Sequence, residues 1–204
     1  MPEVGGRTDE QAWLATYFKR YQRLLCEPSI VKSLVALKEL IVATHAAGRT
    51  VFFAGNGGSA AMASHCAVDF TKNAGIRSLT FNETDLITCF ANDFGYEWWV
   101  AKALAFYAQP GDTVILISSS GRSPNMVNAA RRAREQGLRV VTFTGFASDN
   151  PLRALGELNV WVDSRAYNIV EMMHHIWLLA VCDLLIGSAE YPAKQESLAY
   201  ASPA

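Results

Sequence analysis

The 204-residue sequence is poor in cysteine, nearly neutral and without long apolar runs, and each shortage removes a class of protein. Its four cysteines, Cys26, Cys66, Cys89 and Cys182, lie far apart and form no Cys-x-x-Cys pair. That spacing argues against a disulfide framework and for reduced thiols in a cytoplasm. Eighteen basic side chains balance nineteen acidic ones, for a net charge of −1. No basic field is offered to nucleic acid, and there is no acidic tail. No apolar run reaches the roughly 18 residues that a membrane span needs. The opening Met1–Arg7 stretch lacks the apolar core of a secretory signal. Neither a repeat, a low-complexity tract nor a linker divides the chain, whose length suits one well-buried α/β domain. Nucleic acid and membrane are therefore not expected as partners.

Half of the residues are hydrophobic, and their periodicity sets the order of elements. Thr8 and Gln11 read as a capping box that starts a helix. Trp13, Leu14, Tyr17, Phe18, Tyr21, Leu24 and Leu25 then share one helical face, an aromatic stripe outside any later α/β unit. Such a stripe must bury against something, and another subunit fits. Pro28 and Ser29 break this helix and begin a second, with Val31, Leu34, Leu37, Leu40 and Ile41 facing inward. After Gly48 the period changes. Strands are expected over 50–54, 77–81, 113–117, 139–144 and 159–162, and helices over 59–71, 123–136 and 168–186. Strands alternating with helices mean βαβ units and a mostly parallel sheet covered on both faces.

Two of the strand-to-helix turns carry chemistry. The first strand runs into Gly55-Asn56-Gly57-Gly58-Ser59, and the third into Ser118-Ser119-Ser120-Gly121-Arg122-Ser123. Both turns fall at carboxyl ends of strands, where open α/β sheets bind their ligands. Helix N-termini there offer unpaired N–H groups and a positive dipole end, and glycine admits a phosphate close to the backbone. Serine hydroxyls add uncharged donors. The first loop alone reads equally well as an ordinary turn, and Gly55-x-Gly57-x-x-Ala60 also fits a loose dinucleotide pattern. No acidic residue follows at the end of the second strand to support that pattern. The second loop, with four serines in six residues, favours a phosphate.

These two loops, together with Ala91-Asn92-Asp93-Phe94-Gly95 and the continuation Pro124-Asn125, resemble the bacterial phosphoheptose isomerases. Members of that family are SIS-domain enzymes that interconvert sedoheptulose 7-phosphate and D-glycero-D-manno-heptose 7-phosphate, and the similarity runs from about Trp13 to Ile186. The resemblance implies a single SIS domain, a flavodoxin-like three-layer αβα sandwich around a five-stranded, mostly parallel sheet. Within it, residues 1–8 form a disordered N-terminus, 9–48 the oligomerising helices, 49–187 the α/β core and 188–204 a tail. A cytoplasmic homotetramer with active sites between subunits is further implied. Ser118, Ser119, Ser120 and Ser123 are expected to hold the phosphate of a sugar phosphate. Asn56, Gly57, Gly58, Ser59 and Asp93 are expected to meet the rest of the substrate.

An aldose–ketose isomerisation passes through an enediol, so it needs a base, an acid and a group that polarises the carbonyl. The resemblance assigns this work to a glutamate and a histidine, with zinc in many members. Here His65 and Asp69 lie four apart on one helical face, with aspartate where the family has glutamate. The last helix reads Glu171-Met172-Met173-His174-His175, and the family's second histidine falls on Leu179, or on Leu178 in the adjacent register. The expected acid–base set is therefore Asp69, His65, Glu171 and His174, with His65 and Glu171 as zinc ligands. Plain readings stand beside these. His65 also reads as an ordinary helix residue, His174 and His175 as interface histidines, and Asp93 as a cap for a helix beginning near Tyr96. Trp98, Trp99, Trp161 and Trp177 read as core or interface anchors. Two other functions remain open: isomerisation of a different sugar phosphate, or a non-catalytic SIS tetramer that binds a protein such as the replication initiator.

Overall fold

The computed structural model describes residues 9–191. Two helices come first, α1 (Glu10–Leu25) and α2 (Pro28–Ala46). The α/β part follows: β1 (Val51–Gly55), α3 (Gly58–Lys72), β2 (Ser78–Thr80), α4 (Thr84–Phe94), α5 (Trp99–Tyr107), β3 (Thr113–Ser118) and α6 (Pro124–Glu135). It closes with β4 (Arg139–Thr144), a 3₁₀ turn at Arg153–Leu155, β5 (Leu158–Trp161) and α7 (Tyr167–Ile186). The five strands are all parallel in the order β2-β1-β3-β4-β5, so the expected flavodoxin-like sheet is present and fully parallel.

Strand alternation builds two cores. Val51, Phe53, Ile115, Ile117, Val141 and Phe143 point to one side, under α1, α2, α3 and α7. Phe52, Ala54, Val114, Leu116 and Val140 point to the other, under α5 and α6. Because both faces are covered, β1 and β3 are buried along their whole length, which is why they read as continuous apolar runs. Helix α7 is long and apolar enough to cross a bilayer by length and composition. Its Ile169, Val170, Met173, Trp177 and Leu178 lie in the first core, so packing takes up part of that apolarity.

Several expectations about the helices are corrected. Asp9, not Thr8, caps α1, its carboxylate accepting from the N–H groups of Gln11 and Ala12; Thr8 lies outside the described residues, as do residues 1–7 and 192–204. Val31 faces outward, and Ile30 takes the buried place at the start of α2. Helix α4 had no counterpart in the periodicity, since none of its residues is fully buried in the chain. Asp93 consequently lies in the last turn of α4 rather than at the start of a helix near Tyr96, and α5 begins later, at Trp99. Trp99 and Trp177 are core anchors, Trp161 is half-buried under the Arg153 guanidinium, and Trp98 is exposed.

Candidate active site

The order of strands reverses between β1 and β3, and both glycine- and serine-rich loops leave the sheet at that switch point. In the serine loop, the Gly121 N–H donates to the Ser118 carbonyl at 3.0 Å, closing a tight turn. Gly121 has φ +62°, and a Cβ there would lie 1.9 Å from the buried Asn150 Oδ1, so only glycine fits. The Ser118 and Ser123 hydroxyls share a hydrogen bond of 3.2 Å, and Ser120 Oγ accepts from the Arg122 N–H at 3.2 Å. Ser123 is the N-cap of α6 yet makes no side-chain cap bond. Ser119 Oγ is buried with no hydrogen-bond partner among the described residues. A buried hydroxyl left open in this way is what an incoming phosphate oxygen would satisfy. All four predicted serines are thus brought together.

The first loop lies beside it. Gly57, with φ +53°, caps α3 without a side chain, and Ser59 is buried at the start of that helix. Asn56 reaches across to α6. Its Nδ2 donates to Asn125 Oδ1 at 3.0 Å, and its Oδ1 accepts from Asn125 Nδ2 at 2.7 Å and from the Tyr96 hydroxyl at 3.2 Å. Gly58 leaves room for Glu171: a Cβ at that position would meet Glu171 Oε2 at 2.7 Å. The next residue back on α7, Val170, packs on Gly145, whose N–H donates to the Ser119 carbonyl at 2.9 Å. Glu171 is therefore held beside the first loop, one residue from the Val170 that packs behind the second.

Among the described residues Asp93 hydrogen-bonds only within α4. It is exposed on α4, where it accepts from Asn92 Nδ2 at 2.9 Å. Tyr96, just past Gly95, is the residue of that segment that contacts the site, and Asn125 is its partner from α6. Neither was predicted as a contact. A polar side chain in the first turn of a helix that starts at a ligand loop is the signal that would have pointed to Asn125.

The acid–base candidates divide into two places. On the exposed seam between α3 and α7, Asp69 Oδ2 lies 3.2 Å from His65 Nε2, and His65 Nδ1 lies 2.8 Å from His175 Nε2. Burial and the neighbouring His65 hold the His175 pKa below the usual histidine value, with Asp69 opposing them. His174, predicted as catalytic, points the other way. It is fully buried against Phe143, with Nε2 3.0 Å from the Thr144 carbonyl, and burial pushes its pKa down to about 4. A ring sealed into the core cannot exchange protons with a ligand at the surface. His175 takes its place in the seam.

The expected zinc ligands, His65 and Glu171, make separate contacts. Glu171 rests on Gly58, while both ring nitrogens of His65 are already engaged by Asp69 and His175. Among the described residues no three His, Cys, Asp or Glu side chains gather to hold a metal ion.

A parallel 2-1-3-4-5 sheet with two anion-binding loops at its switch point, one of them serine-rich, defines a phosphate-ligand domain of the α/β class. More particularly, the chain belongs to the SIS domain family, whose model matches residues 16–145. A phosphoheptose isomerase of Mycobacterium tuberculosis is 34% identical over 184 residues, covering 87% of this chain and 92% of that protein. One from Roseiflexus is 34% identical over 158 residues, 74% of this chain and 80% of that protein. The solved structure of a phosphoheptose isomerase from Neisseria gonorrhoeae superposes with a TM-score of 0.79 at 25% identity, covering 87% of this chain and 98% of that one.

Proposed function

We propose that this protein is a phosphoheptose isomerase, converting sedoheptulose 7-phosphate to D-glycero-D-manno-heptose 7-phosphate. The observation that carries the reading is the serine loop with its open, buried Ser119 hydroxyl, in a chain one-third identical to phosphoheptose isomerases over most of its length. Ser118, Ser119, Ser120 and Ser123 hold the phosphate at the N-terminus of α6, and Asn56 and Ser59 meet the sugar. The reaction takes a proton from carbon 1 of the ketose and returns one to carbon 2, while a proton moves from the oxygen on carbon 1 to that on carbon 2. Glu171, beside the first loop, and the Asp69–His65–His175 chain are the groups able to carry those protons. His65 lies seven residues along α3 from Gly58, about 10 Å at the helical rise. A substrate phosphorylated on its last carbon has its reacting carbons at the far end from the phosphate, which suits this separation.

The reading includes a cytoplasmic homotetramer with sites between subunits. Two separate apolar faces support it. Trp13, Leu14 and Phe18 of α1 are exposed on one side of the sheet, and Phe94, Tyr96, Trp98, Phe106 and Tyr107 of α4–α5 on the other. A tetramer with two kinds of two-fold contact needs two such faces. The seam is itself bordered by exposed Val68, Met172 and Ile176, so a second subunit would cover it and complete the site.

The test is turnover. Purified protein, with and without added zinc, is incubated with sedoheptulose 7-phosphate and the aldose product is measured. Formation of the aldose is the expected result. Turnover of other sugar phosphates alone would move the assignment to another isomerase. Binding without any turnover would favour a non-catalytic tetramer acting on a protein partner.

A further inference from the structure

Asn125 lies in the first turn of α6, only 1% exposed, and had no place among the residues expected to meet ligand. The Met126 N–H, which can only donate, lies 3.1 Å from Asn125 Oδ1 and fixes which way that carboxamide points. Asn125 Nδ2 must then face Asn56 Oδ1, and Asn56 Nδ2 must donate back to Asn125 Oδ1. This reciprocal amide pair ties the loop after β1 to the helix after the serine loop, across the switch point. The Tyr96 hydroxyl occupies the second acceptor site of Asn56 Oδ1. With two donors on its oxygen and one N–H spent on Asn125, Asn56 has a single N–H left.

We propose that Asn125, assisted by Tyr96, is a positioning residue of the ligand site: it locks Asn56 so that one N–H, and never its oxygen, meets the ligand. The ligand atom at that point must accept a hydrogen bond, as the oxygen of a sugar hydroxyl or carbonyl does. The proposal rests on the sugar-phosphate reading of the crevice, and it deepens that reading by giving the sugar-facing half of the site its hydrogen-bonding sense.

The experiment is a double-mutant cycle read by calorimetric titration, with Asn56→Ala, Asn125→Ala, the double variant and Tyr96→Phe. Each is titrated with sedoheptulose 7-phosphate and, separately, with inorganic phosphate, and each is melted without ligand. Asn56→Ala and Asn125→Ala should each weaken the sugar phosphate about tenfold while leaving inorganic phosphate nearly unchanged, since the serines hold it. The double variant should be no weaker than either single one, because losing one partner already frees the other. Tyr96→Phe should have the same sense with a smaller size. Parallel loss of both ligands in Asn125→Ala, no loss of either, or simple additivity in the double variant overturns the proposal. Should the wild type bind sugar phosphate no better than inorganic phosphate, the sugar-phosphate reading itself fails. The amide lock is then decided by the melts alone, where additive losses from the two single variants overturn it.

Discussion

The serine loop and the α3–α7 seam are both built from short polar side chains, yet they are made in opposite ways. The serine loop is specified by backbone: one glycine with positive φ, one turn hydrogen bond and a helix N-terminus. Ser118, Ser119 and Gly121 in it are buried, and its hydrogen bonds close within the chain. The seam is specified by side chains on two helices 110 residues apart in sequence, and it lies open at the surface. The first arrangement keeps its shape through its own backbone. The second exists only through the docking of its two helices. A turn set by backbone and a cluster set by helix packing thus occupy two parts of the fold.

The strongest way to break the comparison is Gly121→Ala. The new Cβ would fall on Asn150 Oδ1, and Asn150 is itself held by the Arg153 N–H at 2.9 Å and by the Ala147 carbonyl at 2.9 Å. Strain at positive φ adds to the clash. We expect a loss of about 3 kcal/mol in denaturant unfolding, with inorganic phosphate binding abolished in titration calorimetry. Retained phosphate binding would mean that the loop is not set by its backbone.

That dependence explains what was legible in the sequence. Glycine and serine at a strand end report local geometry, so the loops at Gly55 and Ser118 and the five parallel strands could be placed from order and periodicity. The sites that depend on tertiary packing could not. His174 and His175 are adjacent and chemically alike in sequence; only the docking of α7 against β4 sends one into the core and the other toward His65. Asp93 was misplaced because α4 buries none of its residues fully, leaving no inward stripe to mark a helix there. The role of Asn125 is invisible in its local sequence because its partner, Asn56, lies 69 residues away.

The two histidines offer the next test, which separates core from seam by pH. His174 titrates near 4 in the folded chain, below the 6.5 of an unfolded histidine. Above pH 6.5 both states are neutral and the burial carries no pH-dependent cost. As pH falls below 6.5 the unfolded chain takes up a proton that the folded chain refuses, so stability drops until about pH 4. The loss from this group amounts to about 3 kcal/mol. His174→Leu should flatten the unfolding free energy over that window, and the Thr144 carbonyl keeps its bond from the Val162 N–H at 2.8 Å. An unchanged pH dependence in this variant would put the titration elsewhere.

Within the seam, Asp69→Asn and His175→Gln remove a charge or a ring without opening the core. Each should lower kcat about 100-fold, the low end for a lost proton-transfer group. Unfolding should change by less than about 0.5 kcal/mol, as for other surface substitutions. Steady-state kinetics and thermal melts on the same preparations read both numbers. Equal losses in kcat and stability would reduce the seam to a structural contact. Full activity in both variants would transfer the proton chemistry to Glu171.

The smallest effect returns to the serine loop and depends on sign. Ser119 Oγ is buried without a partner among the described residues, so the ligand-free protein carries the cost of an unsatisfied hydroxyl. Ser119→Ala removes that cost and should leave the free protein as stable as before, or more stable by up to about 1 kcal/mol. The same change deletes a donor that meets phosphate, so affinity for inorganic phosphate should fall by about fivefold to tenfold. Stability and binding then move in opposite directions from one substitution. A hydroxyl kept for packing would lose stability on truncation, whereas one kept for ligand loses only affinity. Melting temperature measured with and without phosphate separates the two: the variant should melt no lower than wild type without ligand, and gain less from it.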